Sequence, residues 1–376
     1  MMERKRVSGN FYGPSLKIPD AEALACADLY AGAGGFSLSA MNLGVQVKAA
    51  IEWSAHASST YRENLVRGGW PHLYSQDIRD IAPSLVKEAS FAGGQHCDIV
   101  LGGPPCQGFS AHRIKDAGVN DPRNELILRY FDFVRVLDPK VFLMENVPGM
   151  LWPRHEKYLE AFKKEAALAG YHLMEPVVID ARDFGVPQRR KRVFILGRRK
   201  DVELDMSWPP RPSHIKKDLE NHSDVNCDVW RTAADIFKPQ VPMNDENSIH
   251  MNHGPELIKA FKATPINGGS RRDSGRVLPC HKAHDGHKDV YGRIDPSQPG
   301  PTMTTACINP SKGRFVHPTK HHGITVRQAA RFQTFPDSFR FTGGLTAAGE
   351  QIGNAVPILL GEALLTEIVT ALLRNR

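Results

Sequence analysis

Residues 28–36 read DLYAGAGGF. A short apolar run over 25–30 passes into a turn holding Gly32, Gly34 and Gly35, and helical patterning follows. Glycines there allow a tight turn and let a ligand approach the backbone at a helix N-terminus. The third spaced glycine of the dinucleotide fingerprint is missing. Working outward, β-like runs recur at 47–52, 98–101, 140–144 and 193–196. Amphipathic stretches lie between them, among them ELILRYFDFVRVL (125–137) and residues 156–169. Alternation of this kind predicts an α/β fold built on a doubly wound sheet.

The chain has 376 residues, 41% hydrophobic and 24% charged, with a net charge of +7. That length supports two domains. The charge fits either a polyanion partner or a basic soluble enzyme. Six scattered cysteines form no disulfide framework, and a reducing, intracellular setting is expected. No run of 18 or more apolar residues is present, so no membrane-spanning segment is expected. The start MMERKRVSGN has no apolar stretch behind it, which argues against a secretory signal. SWPPRP (207–212) reads as a linker. Beyond it the chain is polar and weakly patterned to about 323. Helical patterning then returns at 326–333 and 357–373, which makes the middle an insertion.

Four stretches carry chemistry. The second strand ends in Glu52-Trp53, a carboxylate able to hold ribose hydroxyls beside an indole able to stack on adenine, and Asp77 follows. This pattern describes a nucleoside-containing cofactor, and NAD and S-adenosylmethionine both satisfy it; three ordinary loop acids are the plain alternative. In GGPPCQGFS (102–110) a strand gives way to a proline-stiffened loop bearing Cys106, a candidate nucleophile at the carboxyl edge of the sheet. An inert loop cysteine is the competing reading. In FLMENV (142–147) an apolar strand ends in Glu145, whose partial desolvation would favour a protonated, donating form. In QRRKR (188–192) alternation puts Arg190 and Arg192 on one face with Gln188 alongside. Two guanidinium groups so placed suit an anion or a carbonyl oxygen, and otherwise form a solvated basic edge.

In this order the pieces resemble the DNA cytosine-5 methyltransferase family of bacterial restriction-modification type. The matching segments are DLYAGAGGFS (28–37), EW (52–53), Asp77, GGPPCQGFS (102–110), ENV (145–147), QRRKR (188–192), TVRQAARFQTFPDSF (325–339) and GNAVP (353–357). Ser39 stands where the family often has glycine, and Gln328 where it often has glutamate. The resemblance implies a doubly wound mixed sheet of the S-adenosylmethionine-dependent, Rossmann-like type. Its domain plan is an N-terminal extension over 1–24, a catalytic and cofactor-binding domain over 25–210 plus 320–376, and an irregular target recognition domain over 211–319.

The resemblance also implies roles. Cys106 would add to carbon 6 of a flipped-out cytosine. Glu145 would meet ring nitrogen 3 and the exocyclic amine, Arg190 would hold the carbonyl oxygen at position 2, and Arg192 would support the site around Cys106. The methyl donor would be S-adenosylmethionine. Tyr30, Gly32, Ala33 and Gly35 would line its methionine part, Glu52 the ribose, and Trp53, Asp77 and Ile78 the adenine. Pro105, Leu126, Asn354 and Val356 would complete the pocket. Gln107, Ser110 and Arg123 would meet DNA on a loop that closes over the base. In the middle segment, Arg271 and Arg272 are candidate DNA contacts. Cys280, His281, His284 and His287 have metal-ligating chemistry but fit no four-ligand spacing, and no metal is expected.

The expected partner is double-stranded DNA, bound by a monomer in the cytoplasm and at the nucleoid. A cognate restriction endonuclease would share the system without direct contact. Methylation of tRNA by the same catalytic set is one alternative, and a catalytically silent DNA-binding relative is another. A silent relative would have lost Cys106, Glu145 or Arg190, and all three are present. An NAD-dependent dehydrogenase would leave Cys106, Glu145 and the arginine strand without roles.

Overall fold

A computed structural model describes residues 17–105, 125–217, 227–275 and 289–375. The described chain forms two compact units. One comprises residues 15–180, 191–211 and 358–376; the other includes 181–190 and 212–357.

The first unit is a mixed eight-stranded sheet. In chain order its elements are β1 (Ala25–Leu29), α1 (Gly35–Leu43), β2 (Gln46–Ile51), α2 (Ala55–Leu65), β3 (His72–Tyr74), α3 (Pro83–Ser90), β4 (Ile99–Gly102), α4 (Glu125–Leu137), β5 (Val141–Asn146), α5 (Glu156–Leu168), β6 (Tyr171–Leu173), β7 (Val177–Asp180) and β8 (Lys191–Arg199). The order is β3-β2-β1-β4-β5-β8-β6, with β7 also on β8. Strands β1 to β5 pair in parallel, and β8 runs antiparallel to β5, β6 and β7. All five residues of β1 are buried, the unbroken apolar run expected of a central parallel strand. The strand order reverses between β1 and β4, and ligands of such sheets bind outside the strand ends at that point.

Helix α4 shows how patterning becomes core. Ile127, Tyr130, Phe131, Val134 and Leu137 recur at helical spacing and are buried. Tyr130 and Phe131 join Phe142, Phe162 and Tyr171 in a cluster with ring centroids 4.6 to 6.2 Å apart. Edge-on and tilted pairs of this kind add about 0.5–1.5 kcal/mol each beyond the area they bury. The C-terminal helix Ile358–Arg374 packs on α1, where Ser39 Oγ donates to Ile358 O at 3.1 Å. By composition the stretch Gly344–Arg374 is apolar enough to cross a membrane, which a search for an unbroken apolar run misses. It is two helices parted at 355–357, and 61% of its most apolar window is buried in the protein, the pattern of core helices.

The second unit has little regular structure. Its longer helices are Pro255–Ala263, Val326–Phe332 and Gly344–Asn354, and its sheet is two residues by two, His214–Ile215 on Asp228–Val229. Loop carbonyls outside ladders still need donors, and buried arginines supply them. Arg190, Arg293, Arg327 and Arg331 are all fully or almost fully buried. Arg293 donates to the carbonyls of Thr264, His317, Lys320 and Phe261. Arg331 grips Asp337 with two nitrogens and donates to Ile236, Pro239 and Gln240 carbonyls. Arg327 forms a two-pronged pair with Asp245 at 2.7 and 3.0 Å.

The units divide the chain differently from its compositional pattern. The compact units part at 211/212 and 357/358, and residues 181–190 group with 212–357. Arg327 and Arg331 tie their helix to the rest of that group, since their partners lie at 236–247. Part of the expected N-terminal extension belongs to the sheet unit, where Ile18 N donates to Leu43 O at 2.9 Å and Ala21 is buried.

Replacing Arg293 with methionine keeps volume but orphans the buried Thr264 and His317 carbonyls, while Phe261 O keeps Thr264 N and Lys320 is exposed. At about 1–3 kcal/mol for each of the two, destabilisation of at least about 2 kcal/mol is expected, measured as the shift of the urea midpoint.

Candidate active site

The turn after β1 is built by backbone geometry. Tyr30, Gly32 and Gly34 take positive φ of 61°, 57° and 94°. Gly34 is also tightly enclosed, since a Cβ there would stand 2.3 Å from Leu65 Cδ1. Glu52, at the end of β2, ties the turn down. Its Oε2 accepts from Gly32 N at 2.8 Å and its Oε1 from Ser54 N at 2.7 Å. These two bonds fix the orientation of the Glu52 carboxylate. Trp53 beside it is 72% exposed, an uncovered indole at the sheet's ligand-binding edge. Asp77 accepts from the Arg79 backbone and guanidinium, which hold its carboxyl below the usual range. Ile78 is buried, and Tyr30 Oη donates to Leu126 O at 2.6 Å. Ala33 is buried in the turn, and Gly35 opens α1.

Beneath the turn lies Asp28, a feature the sequence reading did not single out. It is 1% exposed and accepts from Ser37 N at 3.1 Å and Ser37 Oγ at 2.6 Å. Tyr61 Oη donates to Ser37 Oγ at 2.8 Å. Burial pushes the Asp28 carboxyl up to about 7, against the pull of its Ser37 bonds.

Strands β4 and β5 form the other end of the edge. Gly102 faces Met144 across the parallel pair. A Cβ on Gly102 would stand 2.6 Å from the Tyr130 ring and 2.9 Å from Leu29 O, so only glycine ends β4 here. One residue on, a Cβ on Gly103 would stand 3.4 Å from Glu145 Oε2, and Asn146 Nδ2 reaches Pro104 O at 3.4 Å. Glu145 is 8% exposed, with Arg192 Nε 2.8 Å from its Oε1. This contact is a close ion pair without hydrogen-bond alignment. Gly103, Pro104, Glu145, Asn146 and Arg192 thus meet at one edge, and Pro105 is the last described residue before Cys106. Cys106, Gln107, Ser110, Arg123, Cys280, His281, His284 and His287 lie outside the described residues. Among the described residues, no three His, Cys, Asp or Glu are grouped to hold a metal.

Arg190 and Arg192 of QRRKR do not share partners, although alternation puts them on one face. Arg190 is 1% exposed and commits its fork to the main chain, Nη1 to Met303 O and Nη2 to Gly353 and Ala355 O. Gln188 is equally buried and bonds Phe332 O, Gln333 Oε1 and Met303 N. Arg192 instead enters β8 and meets Glu145. Asn354 is exposed at the end of helix Gly344–Asn354, and Val356 is buried. Arg271 is 4% exposed, on a turn packed against helix Pro255–Ala263. Arg272 beside it is exposed.

The fold is that of methyltransferases. A prophage-encoded E. coli protein described as a DNA modification methyltransferase superposes with a TM-score of 0.70 at 24% identity, covering 93% of this chain and 99% of its own. A DNMT2 variant from Spodoptera frugiperda gives 0.60 at 16% identity, covering 92% and 99%. The family C-5 cytosine-specific DNA methylase matches residues 24–370, and the chain belongs to that family. It is a DNA cytosine-5 methyltransferase. Type II methyltransferase M.NgoPII of Neisseria gonorrhoeae is 32% identical over 361 residues, 92% of this chain and 95% of the relative. Type II methyltransferase M1.HphI of Haemophilus parahaemolyticus is 31% identical over 350 residues, 91% and 86%.

Asp28 gives a pH prediction. A carboxyl raised to about 7 makes the folded state bind the extra proton, so its contribution falls as pH rises from about 4 to about 7 and is level above. Asp28→Asn keeps an acceptor for Ser37 and cannot ionise. Its urea midpoint relative to wild type should climb between pH 5 and about 7 and then plateau; a difference independent of pH would rule out the ionisation of Asp28 as the cause.

Proposed function

We propose that the enzyme transfers a methyl group from S-adenosylmethionine to carbon 5 of a cytosine flipped out of a short specific sequence of double-stranded DNA. The observation that carries this reading is the meeting of Glu145, Arg192 and the Gly103-Pro104-Pro105 loop at one sheet edge. The glycine turn, the oriented Glu52 carboxylate and the uncovered Trp53 indole fit an adenosyl ligand at the same edge. Tyr30, Gly32, Ala33 and Gly35 would hold its methionine part, Glu52 the ribose, and Trp53, Asp77 and Ile78 the adenine. Pro105, Leu126, Asn354 and Val356 are assigned to the same ligand. When bound, it supplies an electrophilic methyl group.

The rest is done by the chain. The Cys106 thiolate adds to carbon 6, and the displaced electron pair makes carbon 5 nucleophilic. Glu145 shares a proton with ring nitrogen 3 as charge builds there. Arg192 takes the role of binding the carbonyl oxygen at position 2, since Arg190 is spent on three main-chain carbonyls. After methylation a water or hydroxide removes the carbon 5 proton, and the electron pair of that C–H bond expels Cys106 as thiolate.

The inserted unit would read the DNA sequence, with Arg272 as a contact. Gln107, Ser110 and Arg123 would hold the displaced nucleotide. The relatives are type II methyltransferases, which supports host protection in a restriction-modification system, by a cytoplasmic monomer acting beside a separate endonuclease.

Cytosine-conversion sequencing of mixed-sequence DNA treated with enzyme and S-adenosylmethionine should show protected cytosines in one short motif. Cys106→Ala should show none while still binding DNA. Glu145→Gln should lose at least about 100-fold in kcat. Arg192→Lys keeps the charge but loses the planar fork, and its kcat should fall with the urea midpoint little changed. Normal protection by Cys106→Ala would end the covalent mechanism.

A further inference from the structure

Directly after Glu145 and Asn146 the chain makes two tight turns, Pro148–Leu151 and Pro153–His155, the first packed on β8 and both on α5. Trp152 joins them and is 39% exposed. The Arg154 guanidinium lies over its ring, 4.7 Å from the centroid. Arg154 Nε donates to Nε2 of His155 at 3.0 Å. His155 has no exposed surface, and burial together with the Arg154 charge lowers its pKa, so it stays a neutral acceptor. The guanidinium is therefore fixed on two sides.

Arg154 shares the lack of a carboxylate partner with Arg62, Arg67 and Arg198 of the same unit, but those three spend a terminal nitrogen on Ser75 or on main-chain carbonyls, whereas Arg154 bonds through Nε. Arg79, Arg129, Arg135 and Arg199 of the same unit each pair with a carboxylate. Among the described residues no carboxylate pairs with Arg154, and Arg154 is exposed. An arginine held rigid by stacking and one hydrogen bond, with its terminal nitrogens toward solvent, loses little entropy when an anion arrives. Lys191, exposed at the start of β8, adds positive charge to the strand that also carries Arg192.

We propose that Trp152 and Arg154 form a backbone contact for the DNA strand that carries the target cytosine, Arg154 binding a phosphate and Trp152 fixing its plane. The inference rests on the reading of this edge as the place where DNA docks. Arg154 is then a positioning residue. It contacts the polymer rather than the reacting atoms, and its loss weakens docking without altering the chemistry.

The test measures full-length protein binding to a fluorescein-labelled mixed-sequence duplex by anisotropy across a salt series, with kcat and KM for DNA alongside. Each phosphate contact contributes about 0.9 to the slope of log affinity against log salt. Arg154→Ala should lower the slope by about that amount and raise KM about tenfold, the loss of one charge-assisted bond. Its kcat should stay near wild type. Arg154→Lys should retain the slope, because the charge remains, while Trp152→Ala should raise KM with the slope largely kept. Unchanged slope and KM in Arg154→Ala, with wild type binding normally, would overturn this contact alone. So would a loss confined to kcat, or one that follows a drop in thermal stability. Failure of the wild type to bind duplex DNA at all would overturn the docking reading and this inference together.

Discussion

The site depends on how closely β4 can approach its neighbours. Gly102 sits where any side chain would strike the Tyr130 ring and Leu29 O. With no Cβ there, β4 pairs in parallel with both β1 and β5; its last residue stands opposite Leu29, the end of β1, and Met144, two residues before the end of β5. Parallel strands deliver their following residues to one edge. Gly103 and Pro104 therefore emerge beside Glu145 and Asn146, although about forty positions separate them in sequence. The antiparallel β8 then brings Arg192 to the same place from the opposite chain direction.

The inserted unit solves a different problem. Regular ladders satisfy few of its carbonyls, so donors come from buried guanidinium groups, each with five N–H bonds to give. Such burial costs desolvation, and the low pKa direction of Arg293 records that cost. In return a few side chains fix many loop segments at once. Arg190 belongs to this set rather than to the substrate, tying the segment before β8 to Met303, Gly353 and Ala355. A framework of this kind leaves the intervening loops free to vary.

The local code was readable where it is short-range. Periodicity marked α4 over 125–137 and the central strands to within a residue or two, because burial of one stripe or one run needs only neighbours in sequence. The short strands β3, β6 and β7 escaped it, since three or four residues carry too little pattern and their pairing is decided by β2 and β8. Asp28 escaped for the same reason: a carboxylate in a strand looks ordinary until Ser37 and Tyr61 are seen above it. Trp152 and Arg154 carried no signal in the sequence, and their stacking is visible only in the structure.

By itself, then, the sequence determined which chemical groups the enzyme owns and in what order the chain presents them: a glycine turn, an acid and an indole, a thiol, a carboxylate and paired arginines. Residue type and spacing are covalent properties and need no fold to be read. Only the tertiary structure decided which arginine faces Glu145, which segments group into each compact unit, and that Arg271 is buried while Arg272 is exposed. Those outcomes turn on partners distant in the chain. Arg190 and Arg192 are alike in sequence, and they part because one finds main-chain carbonyls at 303, 353 and 355 while the other finds a carboxylate on β5.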